Sequence, residues 1–173
     1  FVCVSPDTGA MKRASDFSDM IGNVEVGTFD KERDYTKLVN GKHPIKRHRF
    51  VGPNDMTGKY ALIPDDMIAS GGSMIDTVQA IKKLGVDKVF VIITFALFTE
   101  GVDKFVKLHQ EGILDRVYAS NVNYVPTYIQ NMEWFKSVDC SDKIANIIHS
   151  LNYGLSISIA RSEERRVGKE CRS

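Results

Sequence analysis

The chain has 173 residues, with 23 Lys or Arg against 22 Asp or Glu and 43% hydrophobic residues. This composition excludes a disordered chain, a disulfide miniprotein and a fibrous repeat, and the length fits one domain of about 100–200 residues with a real core. A net charge of +1 gives no global pull toward nucleic acid or an anionic membrane, so neither is expected as a partner.

The elements follow in chain order. Residues 1–5 alternate short apolar side chains and fit a buried strand. The chain opens on Phe1 rather than Met, inside a strand already under way, so the expectation is that the natural start lies upstream. Pro6, Asp7, Thr8 and Gly9 make a turn, and Met11, Ala14 and Phe17 then recur at helical spacing. Val24, Val26 and Thr28 fit a second strand. Residues 30–49 hold seven Lys or Arg and two His, broken by Asn40-Gly41 and His43-Pro44, and read as a mobile basic loop. A weak strand is expected at 49–51, a turn at 52–58 and a strand at 60–63. Ile75, Val78, Ile81 and Leu84 predict a helix ending at Gly85. Residues 89–94 are apolar without alternation, which marks a strand buried on both faces. A helix at 102–109, short strands at 117–119 and 134–138 and a helix at 143–151 complete the pattern. Alternating strands and helices predict an α/β fold, a parallel sheet flanked by helices. The longest apolar run, 89–98, is half of the roughly 20 residues that span a bilayer. Cys3, Cys140 and Cys171 lack metal spacing and point to a reducing compartment, hence the cytoplasm.

The chemistry is concentrated at residues 62–74. An apolar strand ends in Asp65 and Asp66, the loop Ala69-Ser70-Gly71-Gly72-Ser73 follows, and a helix begins. Ligands of parallel α/β sheets bind at the carboxyl ends of strands. Glycines let backbone N–H groups converge, and the helix N-terminus adds positive potential, which together suit a phosphate. The two carboxylates then stand where they can accept from ribose hydroxyls, directly or through Mg²⁺ and water. A plain β–α turn with a serine cap and solvated carboxylates is the bland alternative for the same residues.

This segment resembles the phosphoribosyl pyrophosphate loop of type I phosphoribosyltransferase folds. Within that group, residues 1–159 resemble the C-terminal half of ribose-phosphate pyrophosphokinases. The supporting motifs are Val4-Ser5-Pro6-Asp7-Thr8-Gly9-Ala10, Asp30-Lys31-Glu32-Arg33, residues 65–74, Thr94-Phe95-Ala96-Leu97-Phe98-Thr99-Glu100-Gly101 and Ser156-Ile157-Ser158. Pro64 departs from the family's usual Val or Ile before the acidic pair, and Ala69 stands where many members have Asp. The resemblance implies a Rossmann-like phosphoribosyltransferase fold. It also implies transfer of diphosphate from ATP to the C1 hydroxyl of ribose 5-phosphate, with Mg²⁺, in a homo-oligomer, by resemblance a hexamer. Lys31 and Arg33 match the family's catalytic Lys-x-Arg pair. Asp65, Asp66, Ala69, Ser70, Gly71, Gly72 and Ser73 match its ribose 5-phosphate site, and Asp7 its Mg²⁺ ligand. For Asp7 a helix-capping role fits equally well, and Lys12 and Arg13 read as surface residues able to face an anion. A phosphoribosyltransferase consuming the product and a non-catalytic regulatory homologue remain alternative functions.

Residues 161–173, RSEERRVGKECRS, match the in-frame translation of a widely used sequencing adapter. The expected organisation is therefore a C-terminal phosphoribosyltransferase-like domain over 1–160, from a truncated synthetase unable to turn over alone, followed by a non-native tail over 161–173. The source genome should not continue into codons for this tail. Independent reads carrying the same peptide onward into unrelated genomic sequence would overturn that expectation.

Overall fold

The computed structural model describes residues 1–33 and 45–157. The tail at 161–173 and the Asn40-Gly41 and His43-Pro44 breakers lie outside the described residues. Val2, Cys3, Val4 and Ser5 are all wholly buried and form β1 (Val2–Ser5), because a strand of short side chains apolar on both faces is stable only in the middle of a covered sheet. The other strands are β2 (Glu25–Arg33), β3 (Ile45–Val51), β4 (Tyr60–Ile68), β5 (Lys88–Ala96), β6 (Arg116–Ser120) and β7 (Phe135–Val138). The helices are α1 (Met11–Met20), α2 (Gly72–Lys82), α3 (Asp103–Gln110), α4 (Thr127–Gln130) and α5 (Ser141–Asn152).

One sheet runs in the order β3-β2-β1-β4-β5-β6-β7. β1 is parallel to β2 and β4, and β5 is parallel to β4 and β6. This is the parallel α/β architecture that the strand–helix alternation predicts. The core is built from Ala61, Ile63, Val89, Val91 and Val117 on adjacent strands, with Val78 and Ile81 of α2 and Phe105 and Leu108 of α3. Trp134 stacks on Phe105 with ring centroids 5.7 Å apart and an interplanar angle of 16°. Residues Phe1–Ser137 form one compact unit and Val138–Ser173 a second, which contains α5.

Two expectations change. Residues 30–33 and 45–49 are not loop: β2 runs on to Arg33 and pairs antiparallel with β3. Phe29 and Phe50 face each other across the ribbon with centroids 5.2 Å apart, and the register sets Asp30 opposite Arg49. An aromatic pair at the root and unlike charges farther out stabilise a ribbon whose sequence looks merely basic. Second, β4 does not stop at Ile63. It keeps pairing with β5 as far as Ile68 opposite Ala96, so Asp65 and Asp66 lie within the strand. The paired positions of β1 and β4 end at Cys3 and Leu62, and Pro64 comes just after. A residue without an N–H suits a strand that has just parted from one neighbour. The four-residue α4 was not anticipated.

Ile63 is wholly buried between neighbouring strands. Ile63→Ala should lower the unfolding free energy by about 2–5 kcal/mol, read from urea melts with an unchanged slope. A loss below about 1 kcal/mol would show that this position is not core.

Candidate functional site

The chain adds strands outward from β1 in one direction and outward from β4 in the other. The segments leaving the carboxyl ends of these two adjacent strands therefore diverge, and the crevice between them is where an open α/β sheet takes a ligand. The sequence places Pro6 to Ala10 at the end of β1 and Ala69-Ser70-Gly71 at the end of β4.

The second of these connections is held from outside. Leu97 and Phe98 donate their N–H groups to the Ile68 carbonyl at 2.9 and 3.2 Å, and Thr99 donates to the Ala69 carbonyl at 2.9 Å. Gly71 has φ +85°, and a Cβ there would lie 2.7 Å from the Phe105 ring. The backbone thus turns over an aromatic ring, in a left-handed conformation, at the one loop position where only glycine fits. α2 starts immediately, and the Thr77 hydroxyl donates to the Ser73 carbonyl at 2.9 Å. The first-turn N–H groups of such a helix have no acceptor within the helix and point back toward the loop.

A pocket of about 170 Å³ lies here. Asp65 and Met67 form its strand wall, Ile68, Ala69, Ser70 and Gly71 its loop, and Ser73 and Met74 its helix wall. The structure thus brings together five of the expected ribose-phosphate residues, Asp65, Ala69, Ser70, Gly71 and Ser73. Gly72 and Asp66 do not line the pocket. Asp66 follows Asp65 on a strand, and successive strand residues point to opposite faces.

Arg13 is the residue that sequence reasoning undervalued. It lies on α1 between the buried Ala10 and Ala14, and its guanidinium reaches β4. Its Nη1 donates to Asp65 Oδ1 at 2.6 Å and its Nη2 lies 3.3 Å from Asp66 Oδ2. The expected stripe of Met11, Ala14 and Phe17 is off by a step: Met11 is exposed, and the buried positions are Ala10, Ala14 and Ser18, with Arg13 beside them. Asp7 is exposed, and its Oδ1 accepts the Ala10 N–H at 3.0 Å, a bond of the turn ahead of α1, whose N-terminus carries no side-chain cap. Lys31 and Arg33 both lie on β2, and the β2–β3 ladder shifts register between Glu32 and Arg33. Among the described residues no group of three or more His, Cys, Asp or Glu is placed to hold a metal ion, and no helix is long and apolar enough to cross a membrane. Burial pushes the Cys3 thiol up to about 11, which makes it an inert core residue.

Burial also raises the Asp65 carboxyl above its ordinary value; its neighbour's charge adds to the rise, while the Asp66 amide and Arg13 oppose it. A folded-state value above the unfolded one means that the folded protein holds the proton longer, so this group's contribution falls as pH rises upward from about 4. Asp65→Asn removes the titration. The melting temperature of the variant minus that of the wild type should therefore grow as pH is raised from 3 to 6 and then level off. A difference that shrinks over the same range would reverse the assignment.

Known proteins resemble this chain in sequence and in fold. The chain is 36% identical over 100 residues to the ribose-phosphate pyrophosphokinase of Pyrococcus furiosus, covering 58% of this chain and 33% of that protein. It is 26% identical over 159 residues to the ribose-phosphate pyrophosphokinase of Mycoplasmopsis pulmonis, covering 91% of this chain and 46% of that protein. The chain thus spans between a third and a half of the length of these relatives. The crystal structure of phosphoribosylpyrophosphate synthetase from Mycobacterium smegmatis shares the fold, with a TM-score of 0.70 at 22% identity over 88% of this chain and 45% of that one. The sequence model of the phosphoribosyl synthetase-associated domain matches residues 28–160, from within β2 through the pocket loop and beyond α5, and the chain belongs to that family.

Proposed function

We propose that the chain carries the ribose 5-phosphate site of a ribose-phosphate diphosphokinase. The observation that carries this reading is a pocket at the carboxyl end of β4, in which Asp65 lines one wall beside a glycine-bearing loop and a helix N-terminus. A sugar phosphate has the matching polarity. Its phosphate takes the N–H groups of residues 70–73, and its hydroxyls donate to Asp65.

In this reaction the C1 hydroxyl oxygen attacks the β-phosphorus of ATP. The bond from that phosphorus to the oxygen bridging the α-phosphate breaks, and AMP leaves. The hydroxyl proton is given up, and 5-phosphoribosyl-1-pyrophosphate is the product. Lys31 and Arg33, both on β2, supply positive charge for the transferred diphosphoryl group. Asp7, at the end of β1, is the group on this chain suited to Mg²⁺. That ion keeps most of its waters and needs only one or two carboxylates beside substrate phosphates, so a lone exposed aspartate fits it. When bound, Mg²⁺ would neutralise charge on the ATP phosphates. Neither of the described cysteines, Cys3 and Cys140, forms a disulfide, in keeping with a reducing cytoplasm.

The test is calorimetry with ribose 5-phosphate on this chain. The wild type should bind, and Asp65→Ala with Asp66→Ala should bind at least tenfold more weakly while the far-ultraviolet dichroism is unchanged. Equal affinity in the double variant would refute the site. Lys31→Ala and Arg33→Ala should each leave that affinity within about threefold. In a protein of the relatives' full length that contains this segment, each should lower AMP release on the order of 10²–10³-fold.

A further inference from the structure

We propose that Arg13 is the positioning residue of the acidic pair: its guanidinium, forked across Asp65 and Asp66, fixes which carboxylate oxygen faces the pocket and so sets the preference for a sugar phosphate with an intact diol. The inference rests on the ribose 5-phosphate reading above.

Two neighbouring carboxylates on a strand diverge by geometry and repel by charge. Arg13 opposes both tendencies. Its Nη1 donates to Asp65 Oδ1 at 2.6 Å, and its Nη2 approaches Asp66 Oδ2 at 3.3 Å. The backbone completes the arrangement. The Asp66 N–H donates to Asp65 Oδ1 at 2.9 Å, and the Met67 N–H donates to Asp66 Oδ1 at 2.8 Å. Three of the four carboxylate oxygens are thereby engaged. Among the described residues only Asp65 Oδ2 is left over, and it belongs to the carboxylate that lines the pocket. An ionised carboxylate oxygen is an acceptor only, so it selects for a hydroxyl donor.

Arg13 does not itself line the pocket, so it acts through the aspartates. Its reach is set by α1, which is seated by the buried Ala14 and Ser18 and preceded by the buried Ala10, whose N–H donates to Asp7 Oδ1. The guanidinium is 40% exposed, Asp65 20% and Asp66 56%, so the clamp sits at the rim with its inner arm on the half-buried carboxylate. A planar fork spans two carboxylates in one geometry, which an ammonium on a flexible stem does not. The phosphate-binding end of the pocket, on the residue 70–73 backbone, is independent of this clamp.

The test compares ribose 5-phosphate with its 2-deoxy and 3-deoxy analogues by calorimetry on the full chain. The wild type should prefer ribose 5-phosphate over the more strongly rejected analogue by about 10- to 100-fold, the effect of one hydrogen bond to a charged acceptor. Arg13→Gln should reduce that preference to about threefold or less, with affinity for the rejected analogue unchanged. Arg13→Lys should fall between, and it carries the test if Arg13→Gln does not fold. A merely structural role would weaken all three sugars alike, and that result, or undiminished preference in a folded Arg13 variant, overturns the inference while the ribose 5-phosphate site stands. No ribose 5-phosphate binding by the wild type overturns both.

Discussion

The parallel pairing of β1 with β4 is the contact on which the rest of this molecule depends. It is short, with Val2 opposite Ala61 and Cys3 opposite Leu62, and every one of its β1 residues is wholly buried. From this seam the strands accumulate in opposite directions, and beyond it the two chains separate. Strand β4 continues alone with β5 as its partner, which frees the β1 side of Asp65 and Asp66. A longer β1 would have closed the crevice. The fold therefore leaves this crevice open by ending one central strand early rather than by hollowing the core.

The site on this seam sits under some electrostatic tension. The Asp65 carboxylate is drawn into a half-buried wall where charge is disfavoured, and a second carboxylate follows it at once. One cation, Arg13, reaches both. Such an arrangement is poor for folding and good for binding, since an acceptor already stripped of water and already aimed need not be reorganised by its ligand. The neighbouring loop is arranged in the same spirit. Its carbonyls at Ile68 and Ala69 are taken by the 97–99 segment, and Gly71 rests against Phe105. Acidic wall and glycine-bearing loop are thus both held in place by the protein's own contacts.

How much of this was legible in the sequence followed from distance along the chain. The phosphate loop and its acidic neighbour lie within one β–loop–α unit, so residues 62–74 carried the signal by themselves. β5 was legible because its apolar run is unbroken, although within 89–93 only Val89, Val91 and Ile93 are buried while Phe90 and Ile92 on the other face are partly exposed. Arg13 was not, because it meets Asp65 across 52 residues, and a lone Arg on a helix gives no hint of a partner so remote. The β2–β3 ribbon was missed for a related reason. Its Lys- and Arg-rich stretches carry little strand propensity, and what orders them is cross-strand pairing, visible only once Phe29 and Phe50 are seen side by side. The end of β4 was set too early, since the eye stops a strand at its first carboxylate while the ladder with β5 does not. Helix α4, with four residues, is too short to display a helical period.

The ribbon has one more consequence. β3 is the outermost strand at its end of the sheet, and an outermost strand offers unpaired backbone groups to any other sheet it meets. In this chain that strand carries Lys46, Arg47, His48 and Arg49 in succession. Two copies approaching edge to edge there would bring like charges together at the spacing of a hydrogen-bonded ladder, where repulsion is strongest. Among the described residues no further strand covers β3, and a flank of so basic a composition disfavours pairing with a second copy the less as salt shortens the reach of charge.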